Sequence, residues 1–145
     1  MLQLNKTLTI LNLAENKLGD EGTQSLATAL KTNKTLIHLD LSWNNIEATG
    51  TQYLCDALEL NSTLILLDLS WNKIGNVGAI HLIHGMEKNK ALQKVDVRWN
   101  GIDQIALSEW LKFQRLKFKI HLIYEIGLSS APCIHLNYDD DRFMD

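Results

Sequence analysis

The stretches LIHLDLSWNNI (residues 36–46) and LILLDLSWNKI (residues 64–74) stand 28 residues apart and differ at two positions. Looser copies lie at the same interval on either side. Leu8, Leu11, Leu13 and Asn16 precede them; Leu92, Val95, Val97 and Asn100 follow. Behind each asparagine comes Leu18, Ile46, Ile74 or Ile102. A fixed period of about 20–50 residues signals stacked supersecondary units, each too small to bury its apolar face alone. Such a stack displays a surface more readily than it hides a pocket.

Each unit divides in two. The apolar–x–apolar alternation around Leu39-Asp-Leu41 has the period of a strand, with leucines inward and the residues between them outward. Asn16, Asn44, Asn72 and Asn100 form a structural ladder: a side-chain amide at this bend satisfies backbone groups of neighbouring units. Gly22, Gly50 and Gly78 come next, small enough to let a helix begin close to the strand layer. Leu26 and Leu30, Leu54 and Leu58, and Leu82 and Met86 then recur four apart, the inward stripe of a helix. The units start at Asn5, Asn33, Asn61 and Asn89, read as asparagines that end each helix in the left-handed conformation they tolerate.

The motif L-x-x-L-x-L-x-x-N-x-[LI] in a 28-residue unit resembles the leucine-rich repeats of the ribonuclease-inhibitor type. The likeness covers roughly residues 1–112. That family is shared by the Ran GTPase-activating protein and the NOD-like receptor arrays. It implies an α/β class: a right-handed, curved leucine-rich repeat solenoid, with parallel strands on the concave face and helices on the convex one.

The expected organisation is the end of a truncated preceding repeat at residues 1–4, four repeats over 5–118, a degenerate fifth strand and cap over 119–137, and an acidic tail over 138–145. The fourth repeat departs from the period first, and the fifth strand follows. Ala106 stands where glycine is due, and a shift of three residues places Ile123, Ile126 and Leu128 better than a strict repeat does. Leu2 falls 28 residues before Leu30, so the chain is expected to open inside the helix of an earlier unit. That end is then a route to self-association, or a junction with a longer array.

Composition narrows the function. The net charge of −3 gives no electrostatic footprint for nucleic acid. The apolar runs are too short for a membrane helix. The N-terminus lacks the basic and apolar regions of a secretory signal. Cys55 and Cys133 belong to no C-x-x-C or Cys/His cluster, and a reducing, cytoplasmic setting is expected. The sequons at Asn5, Asn33 and Asn61 recur with the repeat and read as by-products of it rather than as glycan acceptors.

No Ser-His-Asp set, phosphate loop, paired-carboxylate cleft or metal-ligand set emerges, so neither catalysis nor a cofactor is expected. His81 and His84 lie three apart but lack further ligands, and both are placed on the solvated convex face. The outward strand positions line up instead. Ile10, His38, Leu66 and Lys94 form one column; Asn12, Asp40, Asp68 and Asp96 the next; Ala14, Ser42, Ser70 and Arg98 a third. Glu15, Trp43, Trp71 and Trp99 form the last, at the strand exit.

Exposed indoles are frequent interface anchors, and an aspartate stripe favours a basic protein partner. Lys94 and Arg98 are placed to offset Asp68 and Asp96. The expected partner-binding residues are therefore Trp43, Trp71, Trp99, Asp40, Asp68, Asp96, His38 and Arg98, in a non-catalytic protein-interaction module. The bland alternative has the indoles packed flat over the turn. The resemblance also permits a regulator of a small GTPase, or a ligand-sensing fragment of a larger receptor.

Overall fold

The structure, a computed structural model, describes residues 2–103, 105, 106 and 108. Strands and helices alternate: β1 (Ile10–Asn12), α1 (Gly19–Leu30), β2 (His38–Asp40), α2 (Ala48–Leu58), β3 (Leu66–Asp68), α3 (Gly75–Lys88) and β4 (Lys94–Asp96). The strands pair in chain order as one parallel sheet. Leu11 pairs with Leu39, Leu39 with Leu67, and Leu67 with Val95, so the ladder register equals the sequence period.

The core lies between the sheet and the helices. Leu36, Leu41, Ile46, Leu64, Leu69 and Ile74 are each at most 1% exposed, so the repeated frame is what the fold buries. Leu30, Leu54, Leu58 and Leu82 meet them from the helix side. Burying one leucine is worth about 1.5–3 kcal/mol, and the fold depends on repeating that gain in every unit. In the first unit Leu8, Leu11, Leu13 and Leu18 are only half-buried, and Leu4 is exposed. No helix among the described residues is long and apolar enough to cross a membrane.

The asparagine ladder closes the bends. Asn44 Nδ2 donates to the Leu13 carbonyl of the preceding unit at 2.8 Å and to Ser42 O at 3.0 Å, while its Oδ1 accepts Asn16 N and Leu18 N. Asn72 repeats this toward Leu41, Asn44 and Ile46, and Asn100 toward Leu69 and Ile74. Each amide thus satisfies donors and acceptors that the tight bend would leave bare.

A second ladder corrects the reading of the unit starts. Asn5, Asn33, Asn61 and Asn89 are not left-handed; Asn89 has φ −74°. Asn33, Asn61 and Asn89 are instead buried. Asn61 Nδ2 donates to Leu30 O and Asn33 O, and its Oδ1 accepts Thr63 N and Leu64 N. Asn89 does the same toward Leu58 O and Asn61 O. The side chain, not the backbone twist, carries the helix end into the next strand. It also leaves the Asn33 and Asn61 amides enclosed within the fold.

The glycines need a different reason as well. Gly50 and Gly78 sit in the first turns of α2 and α3. A Cβ on Gly78 would meet Ile74 Cγ2 at 2.5 Å, Thr51 Oγ1 at 3.2 Å and Ala48 Cα at 3.3 Å. One on Gly50 would run into Asp20 Oδ1 and Ile46. The close approach is to the preceding unit's helix and to the isoleucine that precedes the glycine's own helix, not to a strand. The same contact lets Asp20 Oδ1 accept Glu47 N at 2.8 Å, so one unit caps the next unit's helix.

Ile102 is buried and Ala106 half-buried, at the positions the fourth unit requires. The expected degenerate fifth strand and cap over 119–137 and the acidic tail over 138–145 fall outside the described residues.

Candidate partner-binding face

Four side-chain columns emerge on the strand face because parallel pairing stacks equivalent residues. His38 lies between Ile10 and Leu66 in register, half-buried, with Lys94 beyond them.

The aspartate column has two tasks. Asp40 Oδ1 accepts Ser42 N at 2.9 Å and Ser42 Oγ at 2.8 Å; Asp68 Oδ1 accepts Ser70 N at 2.8 Å; Asp96 Oδ1 accepts Arg98 N at 3.0 Å. Asn12 does likewise for Ala14 N. The column is a set of Asx turns that lead the chain out of each strand. One carboxylate oxygen is therefore used internally. Asp40 Oδ2 also accepts Asn12 Nδ2 at 3.0 Å.

Asp96 differs from its equivalents. Its side chain is 8% exposed, and Arg98 grips it with Nε at 3.0 and 2.9 Å and Nη2 at 2.5 Å. Arg98 thus offsets Asp96 as its position implied. This carboxylate is not presented outward, whereas Asp40 and Asp68 remain half-exposed. The outward acidic stripe is therefore Asp40 and Asp68, in the second and third units, and it ends where the basic residues begin.

The indoles form a ladder rather than lying flat over the turn. Trp43 and Trp71 stack with ring centroids 4.3 Å apart and planes 12° apart; Trp71 and Trp99 stack at 4.7 Å and 19°. These spacings match the separation of adjacent strands, about 4.8 Å, so the stack runs across the sheet. The residues are 50%, 41% and 37% exposed in that order.

Their backbone is unusual. Trp43, Trp71 and Trp99 have φ of 57°, 57° and 59°, the left-handed region, and Glu15 joins them at 61°. A non-glycine residue there costs about 1–2 kcal/mol. Each aromatic pair returns about 0.5–1.5 kcal/mol. With three strained residues and two stacks, the stacking offsets only part of the backbone strain, and the rest is carried by the surrounding fold. The backbone pairing continues through it, with Trp43 N donating to Ser70 O and Trp71 N to Arg98 O.

Other candidates recede. Cys55 is buried between α2 and α3, and burial, with Asp56 nearby, pushes its thiol up to about 12. His84 is exposed as expected. His81 is half-buried instead, because its Nδ1 reaches Ala48 O at 3.2 Å. No group of three His, Cys, Asp or Glu able to hold a metal occurs among the described residues.

Known proteins share this architecture. Residues 4–27, 32–55 and 60–82 match the Leucine Rich repeat family. No curated protein matches the chain. Among solved structures, the leiomodin-1 actin-binding site 2 is similar, with a TM-score of 0.63 at 24% identity over 80% of this chain and 69% of that one. Three family-matched repeats, the parallel sheet and the shared fold lead to one statement: the chain is a leucine-rich-repeat solenoid.

Proposed function

We propose that this array is a non-catalytic protein-interaction module that binds a protein partner on its strand face. The observation that carries the reading is the exposed indole ladder of Trp43, Trp71 and Trp99. Rigid aromatic rings offer large contact area at little entropic cost. Asp40 and Asp68 favour a basic partner surface. A helix of 11 to 14 residues in each of the first three 28-residue units supports the ribonuclease-inhibitor-type subclass.

The similar leiomodin fragment is named for binding actin, which makes actin a first defined partner to test. Cosedimentation and affinity capture should compare the native chain with a Trp43→Ala/Trp71→Ala/Trp99→Ala variant. The variant should match the native circular dichroism and lose the partner. Full recovery by a folded variant would remove the ladder from the account.

A second reading is self-association through the first unit, favoured by exposed Leu4 and half-buried Leu8, Leu11 and Leu13. Sedimentation velocity over a wide concentration range tests it. A constant monomer mass would discard it.

A further inference from the structure

The indole ladder has an open rung, and its surroundings specify what fits. Stacking runs across the sheet, so Trp43 gives one face to Trp71 and turns the other toward the first unit. The residue in register there is Glu15. Its backbone is pinned one strand away, with Glu15 N donating to Ser42 O at 3.0 Å. Its φ of 61° matches the 57° of Trp43, so both side chains leave the chain in the same direction. Glu15 is exposed and carries no ring to cover the indole. A rung one strand spacing deep thus lies between an indole face and a carboxylate.

Charge makes the two ends of the ladder unequal. Glu15 and Asp40 mark the Trp43 side, and Asp68 stands in the middle unit with Trp71. Lys94 stands in β4 beside the Trp99 end, and Arg98, with its guanidinium on Asp96, precedes Trp99 directly. An indole face attracts a cation, and a planar guanidinium stacks on it while its edge donates to a carboxylate. An ammonium lacks that planar match.

We infer that the Trp43–Glu15 rung binds an arginine side chain from an extended basic segment of a protein partner. This rests on the reading of the strand face as a partner-binding surface. The guanidinium takes the place of a fourth ring in the stack, with Glu15 closing over its edge. Asp40 and Asp68 draw in further basic residues along the sheet, and Lys94 repels them from the far end, where Arg98 already occupies Asp96. The segment is thereby positioned with its anchoring arginine at the first unit.

The test is heteronuclear NMR on the intact chain, following the indole N–H signals, assigned by single Trp→Phe variants. The probe is a peptide of alternating arginine and glycine, with lysine–glycine and glutamate–glycine counterparts. The arginine peptide should shift Trp43 first and leave Trp99 nearly still. Glu15→Gln should weaken it about two- to fivefold, and the lysine peptide should bind more weakly than arginine. Absence of a Trp43 shift at millimolar arginine peptide, an equal shift at Trp99, or indifference to Glu15→Gln would each overturn the inference. A protein partner that perturbs the ladder without arginine dependence would overturn it while leaving the interaction reading intact. A partner that perturbs none of the three indoles would overturn both.

Discussion

Asn72 Oδ1 accepts the backbone N–H of Asn44 at 3.0 Å, across one full repeat. The same amide reaches back to Leu41 O at 2.9 Å, so one side chain fastens two bends together. Asn72→Ala would leave Asn44 N, Ile46 N and Leu41 O without those partners inside the core. Each buried unsatisfied group costs about 1–3 kcal/mol, so the expected loss is about 3–5 kcal/mol in urea unfolding. Asn16 is exposed and its amide bonds only Leu13 O and Ala14 O within its own unit. Asn16→Ala should cost less than about 1 kcal/mol. Equal losses at the two positions would contradict the bridging role.

Close helix packing predicts a second contrast. Gly78→Ala gains helix propensity, worth about 1 kcal/mol, but drives a methyl into Ile74, Thr51 and Ala48. Overpacking of this kind costs about 1–3 kcal/mol. The three atoms nearest a Cβ on Gly22 all belong to the Leu18 side chain, at 3.1 Å or more, a much milder contact than the 2.5 Å overlap at Gly78. Gly78→Ala should therefore lower the melting temperature, and Gly22→Ala should leave it unchanged or raise it. The reverse order would show that unit-to-unit contact does not require glycine.

The repeat made most of the fold legible, because a buried leucine at every inward position is a strong, periodic signal. The register Leu39 to Leu67 is that period written in hydrogen bonds. The second asparagine ladder was harder to see. Asn33 and Asn61 have the residue type of a left-handed helix end, and only their burial shows that the amide spans two units. The Trp column was legible as a column, but its left-handed backbone was not, since tryptophan gives no cue for that conformation. The concealment of Asp96 depended on a guanidinium turning back two residues, which spacing alone does not reveal.

Left-handed strain at the ladder predicts an inversion of the usual glycine penalty. Trp71→Gly and Trp71→Ala both lose the two stacks, but glycine alone is comfortable at φ 57°. The glycine variant should be the more stable of the two by about 1 kcal/mol. Denaturant titration of the pair checks this. A more stable alanine variant would mean that residue 71 is not held left-handed.

Cys55 supplies a pH-dependent prediction. Its thiol ionises near 12 when folded, against 9.0 for an unhindered thiol. The folded state therefore keeps the proton between pH 9 and 12 while the unfolded state sheds it. Stability at this site is complete below pH 9 and falls as pH rises, by about 1.4 kcal/mol per pH unit. In a Cys133→Ser background, a thiol reagent at pH 8 should label Cys55 only after unfolding. Adding Cys55→Ala should flatten the alkaline loss. Rapid native labelling would contradict the buried placement.

The central claim is that partner binding belongs to the ladder and not to the helix face. Val77 and Ile80 are exposed apolar residues on α3 and provide the matched control. The decisive measurement is the dissociation constant of a captured partner for three folded proteins: the native chain, the triple Trp→Ala variant, and Val77→Ser/Ile80→Ser. Loss of an aromatic anchor cluster should weaken binding about a hundredfold or more. The account predicts that loss for the tryptophan variant and an unchanged constant for the α3 variant. An unchanged constant for the tryptophan variant, with loss on changing Val77 and Ile80, would contradict it.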